Sequence, residues 1–195
     1  NYLRDFVYGG IDGAVTTFAV VSGVVGAELS VKVILIMGAA NLLADGFSMA
    51  SSNFLGTQAE RDAHARLEAI ERRHIEEFPE GEKEEIRQIV RRKGLDGDVL
   101  EHVVDRITGD REVWVRMMLS EEYGLAHEVR SPWLAALSTF AAFLACGLAP
   151  LVPFLLHSPD AFPIASVLTG AVFFAIGSVK SLWSVRSWWW SGLET

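Results

Sequence analysis

Four stretches of this chain are almost free of charge and long enough to cross a bilayer, and they decide most of what it can fold into. They are residues 6–27, 31–56, 133–156 and 162–182. Each approaches or exceeds the ~20 residues that a hydrocarbon core about 30 Å thick requires. Inside lipid only helices and closed barrels satisfy their own backbone groups. None of the four runs alternates strictly, so the pattern predicts helices. The short connectors GAELS (26–30) and HSPDAFP (157–163) then make two helical hairpins. Charge is segregated to match. Residues 57–131 hold 19 of the 25 acids, 13 of the 17 Lys and Arg and four of the five His. The other 120 residues carry only ten Lys, Arg, Asp or Glu. The expectation is an all-α polytopic membrane helix bundle with a helical domain inserted. Membrane helices 1 and 2 fall in 1–56, a cytosolic domain in 57–131, and membrane helices 3 and 4 with an interfacial segment in 132–195.

Basic residues near the spans set the orientation. Arg4, Arg61, Arg66, Arg130, Lys180 and Arg186 fall on one side if the runs alternate, and Lys32 alone falls on the other. The positive-inside rule then places the N-terminus and residues 57–131 in the cytosol, and the partner of the spans is membrane lipid. Vacuolar and bacterial inner membranes fit the pattern equally. The net charge of −8 excludes a nucleic-acid surface. A single cysteine, Cys146, excludes a disulfide framework and a cysteine metal site. Near the end, Trp183, Trp188, Trp189 and Trp190 with Lys180 and Arg186 suit the headgroup zone. Such a belt predicts a fifth span beyond Thr195.

The inserted segment reads as helices. PEGEKEEIRQIVRRKG starts with Pro79 and stops at Gly94, DGDVLEHVVDRI runs from an Asp cap to Gly109, and Asp110 caps the helix that follows.

Polar residues inside the spans are the first candidates for chemistry. Asn41, Asp45 and Met49 recur every four residues, so a helix places them in one stripe, with Ser48 and Ser52 beside it. An acid near a membrane centre costs roughly 2.5–3.5 kcal/mol even on lenient insertion scales, and such residues mark ion or proton paths. Asp12 lies near the start of the first run, with Asp5 seven residues earlier on the same face. Carboxylates with a thioether suit a borderline divalent ion such as Fe²⁺. The plain alternative is a set of polar contacts between packed helices.

A second cluster lies in the insert. Glu71 and His74 are i, i+3 on one helix, and Glu82 and Glu85 repeat the spacing on the next. Met117, Met118 and Glu121 follow on a later helix. Carboxylate, imidazole and thioether from three helices can build a metal site. The plain alternative is a solvated acidic face with core methionines. No nucleophile elbow, phosphate loop or zinc-cysteine pattern occurs, so the chain does not read as an enzyme.

With these residues in view, the chain resembles the vacuolar iron transporter family over nearly its whole length. The resemblance is carried by DGAVTTFAVVSGVVGAELS, GAANLLADGFSMASSNFLGTQAE, RSPWLAALSTFAAFLACGLAPLVPFLL and RSWWWSGLE. It implies a five-span, homodimeric exporter that moves Fe²⁺, and in some members Mn²⁺, out of the cytosol in exchange for protons. It implies path roles for Asp5, Asp12 and Met49. It also implies a cytosolic metal site of Glu71, Glu82, Glu85, Met117, Met118 and Glu121, which Zn²⁺ or Mn²⁺ would fit as well as Fe²⁺. His74 departs from the family's glutamate at that position; it keeps a ligand and removes a charge. The rival expectation is a membrane-anchored iron buffer or sensor that does not transport.

Overall fold

The computed structural model describes residues 2–125, 130–181 and 187–194. All its regular structure is helical among the described residues. Contacts divide the chain into two compact units, residues 1–57 with 130–195, and residues 58–129.

In the first unit, α1 (Leu3–Gly26), the first part of α2 (Val31–Glu77), α6 (Pro132–Gly147) and α8 (Ala161–Lys180) supply four segments long and apolar enough to cross a membrane. The third of these is broken. After α6 the chain makes a 3₁₀ turn at Ala149–Leu151 and a short α7 (Val152–Leu155). Pro150 and Pro153 lack the N–H that a continuous ladder needs, which is why a run expected as one helix is interrupted. α1 packs against α6 and α8. Its approach to α6 is set by glycine. A Cβ at Gly9 would lie 2.4 Å from the Thr139 carbonyl oxygen, and one at Gly13 would lie 2.4 Å from that of Phe143. The core of the unit gathers Val21, Val24, Ile34, Leu42, Phe143, Leu151, Phe154 and Ala165. Many other apolar side chains stay outward, among them Leu43, Phe47, Leu55, Leu137 and Val167. An outward apolar face is the surface that lipid requires.

The second unit holds the rest of α2 with α3 (Pro79–Arg92), α4 (Gly97–Thr108) and α5 (Arg111–Glu121). Its core is made by Ile75, Ile86, Ile89, Val90, Leu100, Val104, Trp114, Val115, Met118 and Leu119. Each helix presents an apolar stripe at helical spacing and leaves most of its charges outside, Glu71 and Glu82 being buried. The sequence signals at the starts are uneven in effect. Pro79 opens α3. The Asp110 carboxylate accepts the backbone N–H groups of Glu112 and Val113 at 2.9 and 3.2 Å. Asp96, expected as a cap, makes no such bond.

α2 departs most from expectation, because the apolar run 31–56 and the helix that carries Glu71 and His74 are one uninterrupted element. Nothing between them stops a helix. Gly56 costs only about 1 kcal/mol in a helix interior, and the next residue, Thr57, donates its hydroxyl back to Asn53 Oδ1 at 3.5 Å. At the C-terminal end, α9 (Trp188–Leu193) carries three of the four expected interfacial tryptophans. Leu182, Trp183 and Arg186 lie outside the described residues.

Candidate metal centre and membrane cavity

In the second unit the i, i+3 spacing of Glu71 and His74 puts both on one face of α2, and the first turn of α3 brings Glu82 against them. One ligand atom from each of the three lies within 4.8 Å of the others. His74 Nδ1 stands 3.5 Å from Glu82 Oε1 and 3.9 Å from Glu71 Oε1. The Glu71 side chain is only 1% exposed, Glu82 is buried, and His74 opens to solvent. Tyr123 donates its hydroxyl to Glu71 Oε1 at 2.8 Å. The second oxygen of each carboxylate, Glu71 Oε2 and Glu82 Oε2, is buried with no hydrogen-bond partner. A buried acceptor left unpaired costs about 1–3 kcal/mol, and more when charged. A cation offsets that cost directly. Two carboxylates and an imidazole are a donor set for a divalent first-row metal, so the residues fit the ion.

The electrostatics agree. Burial pushes the Glu82 carboxyl up to about 7, with Glu85 and Glu71 adding to the shift and His74 opposing it. Glu122, although exposed, is also raised, by desolvation and then by Glu71 and Glu85. Burial and the bond to Glu71 raise the Tyr123 phenol.

The other expected ligands fall differently. Glu85 is exposed and acts on Glu82 through its charge. Glu121 accepts from Lys93 Nζ at 2.7 Å, and its neighbour Glu122 is the acid whose charge acts on Glu82. Met118 is fully buried in the apolar core, and Met117 packs against that core.

In the first unit, residues of α1, α2 and α6 line an open cavity of about 280 Å³. Asp5 and Tyr8, Ser48, Met49 and Asn53, and Thr139 line it. Asp5 is buried and pairs with the Arg130 guanidinium, which also lies 5.3 Å from the centroid of the Tyr2 ring. Asn53 donates to Thr139 Oγ1 at 2.7 Å and to the Ala135 carbonyl at 3.2 Å. Asn41 donates to Thr16 Oγ1 at 3.2 Å. Asp12 and Asp45 are half-buried, close enough for their charges to repel. The stripe of α2 is thereby divided between a polar contact with α1 at Asn41, the half-buried Asp45, and the pocket at Ser48 and Met49.

A family model described as the VIT family matches residues 3–195. The chain belongs to the VIT family. Among curated relatives of this VIT-family chain is a protein named vacuolar iron transporter from Toxoplasma gondii, 33% identical over 192 residues. That match covers 92% of this chain and 64% of the relative. Vacuolar iron transporter 1 of Arabidopsis thaliana is 31% identical over 183 residues, covering 91% of this chain and 72% of the relative. The Plasmodium falciparum vacuolar iron transporter is 28% identical over 191 residues. The VIT-family chain thus spans about two thirds of the length of these relatives.

Three contacts were not foreseen from the sequence. In the sequence Arg130 marks orientation alone, and its pairing with Asp5 depends on the helix packing. Asn53 carried no charge to mark it. Tyr123 stood beside two glutamates, EEYG, and that proximity was the one signal available.

Proposed function

We propose that this chain is a transporter, not an enzyme, and that it moves a divalent metal, Fe²⁺ first and Mn²⁺ second, out of the cytosol in exchange for protons. The observation that carries the reading is the pair of buried carboxylates of Glu71 and Glu82, each with one oxygen near His74 and the other without a hydrogen-bond partner. They collect the cation on the cytosolic side, with Glu85 and Glu122 adding negative potential and with Met117, Met118 and Glu121 as further family-implied donors. Asp5, Asp12, Asp45 and Met49 serve the passage through the membrane unit. The names of the relatives supply the metal and the transport; the separated cavity and acid pair supply places for an ion to rest. The orientation with the N-terminus and residues 57–131 in the cytosol follows from the basic residues, and a homodimer follows from the resemblance.

Proton exchange has a physical basis in the same groups. Carboxylates that share a confined site cannot all stay ionised without a cation, so departure of the metal favours protonation. The second reading is an iron buffer or sensor. It draws on the fact that the Glu71–His74–Glu82 cluster lies wholly within residues 58–129. Proteoliposomes containing the full chain decide between them. Time-dependent, pH-gradient-driven entry of Fe²⁺ supports transport; metal that binds but never enters supports the buffer.

A further inference from the structure

Glu71 sits in a position that a flexible, buried carboxylate does not hold unaided. It has three rotatable side-chain bonds, almost no exposed surface and one oxygen without any partner. Its other oxygen has a single strong contact, the Tyr123 hydroxyl at 2.8 Å. Tyr123 is itself fixed by the fold. It lies two residues past the end of α5, its ring packs against the core of the unit, and the chain turns at Gly124, where φ is +65°. Beyond that turn the Leu125 N–H returns to the Leu119 carbonyl at 3.1 Å. Gly124 tolerates this left-handed backbone without the Cβ penalty. The phenol is therefore presented to Glu71 by a packed ring and a closed turn.

We propose that Tyr123 is a positioning residue of the metal site. It bonds Glu71 Oε1, the oxygen 3.9 Å from His74 Nδ1, and so fixes the plane of the carboxylate while Oε2 keeps no protein partner. Partners of this kind orient metal-binding carboxylates, and removing them typically weakens affinity 10–100-fold. The inference rests on the metal-site reading above. It assigns Tyr123 no bond to the ion.

The test uses the full chain in detergent micelles, with Co²⁺ as the main probe, read by its visible ligand-field bands and by titration, and Fe³⁺ as a second. Tyr123→Phe keeps the packed ring and removes only the hydroxyl. The expected result is a Co²⁺ affinity lower by roughly 10–100-fold, a displaced ligand-field band, and a metal-free melting temperature close to that of the unmodified chain. Val104→Ala, in the same core and fully buried, is the control for packing. It should lower the melting temperature and leave the band in place. Unchanged affinity and band in Tyr123→Phe would overturn the inference. So would a loss of affinity that tracks the melting temperature with the band unmoved, as in the control. A visible phenolate-to-metal charge-transfer band with Fe³⁺ would also overturn it, by making Tyr123 a ligand. Failure of the unmodified chain to bind Co²⁺ would remove the metal-site reading itself, and the inference with it.

Discussion

Asp12 and Asp45 lie half-buried on α1 and α2 of the membrane unit, where a carboxylate is costly to hold. Asp12→Asn keeps the shape and removes the charge. We expect it to fold, by gel filtration in detergent, and to abolish Fe²⁺ flux into proteoliposomes; flux at the unmodified rate would take Asp12 out of the path. Met49→Ala removes the one thioether of the cavity, so the ratio of Fe²⁺ to Mg²⁺ flux should fall. The pH behaviour of the metal-free chain belongs to Glu82. Its carboxyl titrates near 7 in the folded chain against an ordinary 4.5, so the folded state keeps a proton that the unfolded state has released. That contribution to stability is complete below about pH 4.5 and is lost as the pH rises through about 7. Glu82→Gln should therefore flatten the decline in melting temperature between about pH 5 and pH 8. Bound metal displaces the proton, so affinity for the ion should rise through the same window. The i, i+3 spacing made the meeting of Glu71 and His74 legible in the sequence. The position of Tyr123 and the engagement of Glu121 by Lys93 were not, because they depend on where α5 ends and how it is rotated, and no spacing within one helix encodes that.

Elements explain which boundaries could be read. The four apolar runs were visible because lipid demands an unbroken length of apolar residues. The prolines at 150 and 153 were visible too, yet a hydropathy pattern is indifferent to whether the backbone ladder is intact. The continuity of α2 escaped a reading that treated the change from apolar to charged residues as an end; composition changes there, but no residue stops a helix. The glycines of α1 allow a prediction about packing between elements. A Cβ at Gly13 meets the backbone of Phe143, which cannot swing aside as a side chain can. Gly13→Ala should destabilise the unit by about 1–3 kcal/mol. Gly23→Ala, where nothing lies within 4 Å, should be neutral or stabilise by up to about 1 kcal/mol. Thermal melts in detergent compare the two.

The whole molecule joins an outward apolar unit to one whose exposed residues are mostly charged, and the proposed orientation can be read by labelling. With Cys146 replaced by serine, a cysteine at exposed Asp98 should react with an impermeant maleimide from the cytosolic side alone. Labelling from the opposite side would reverse the orientation and with it the direction of export. The close approach of α1 and α6 constrains any working cycle of the membrane unit. At Gly9 and Gly13 the two helices meet main chain to main chain, with no layer of side chains that could re-register. They share one set of rigid-body degrees of freedom, and Asp5 and Asp12 travel with it. In the proposed transport cycle, opening first toward one side and then toward the other would fall to α2 or α8 moving against that pair. A covalent staple between α1 and α6 should leave turnover intact, whereas one between α1 and α2 should arrest it.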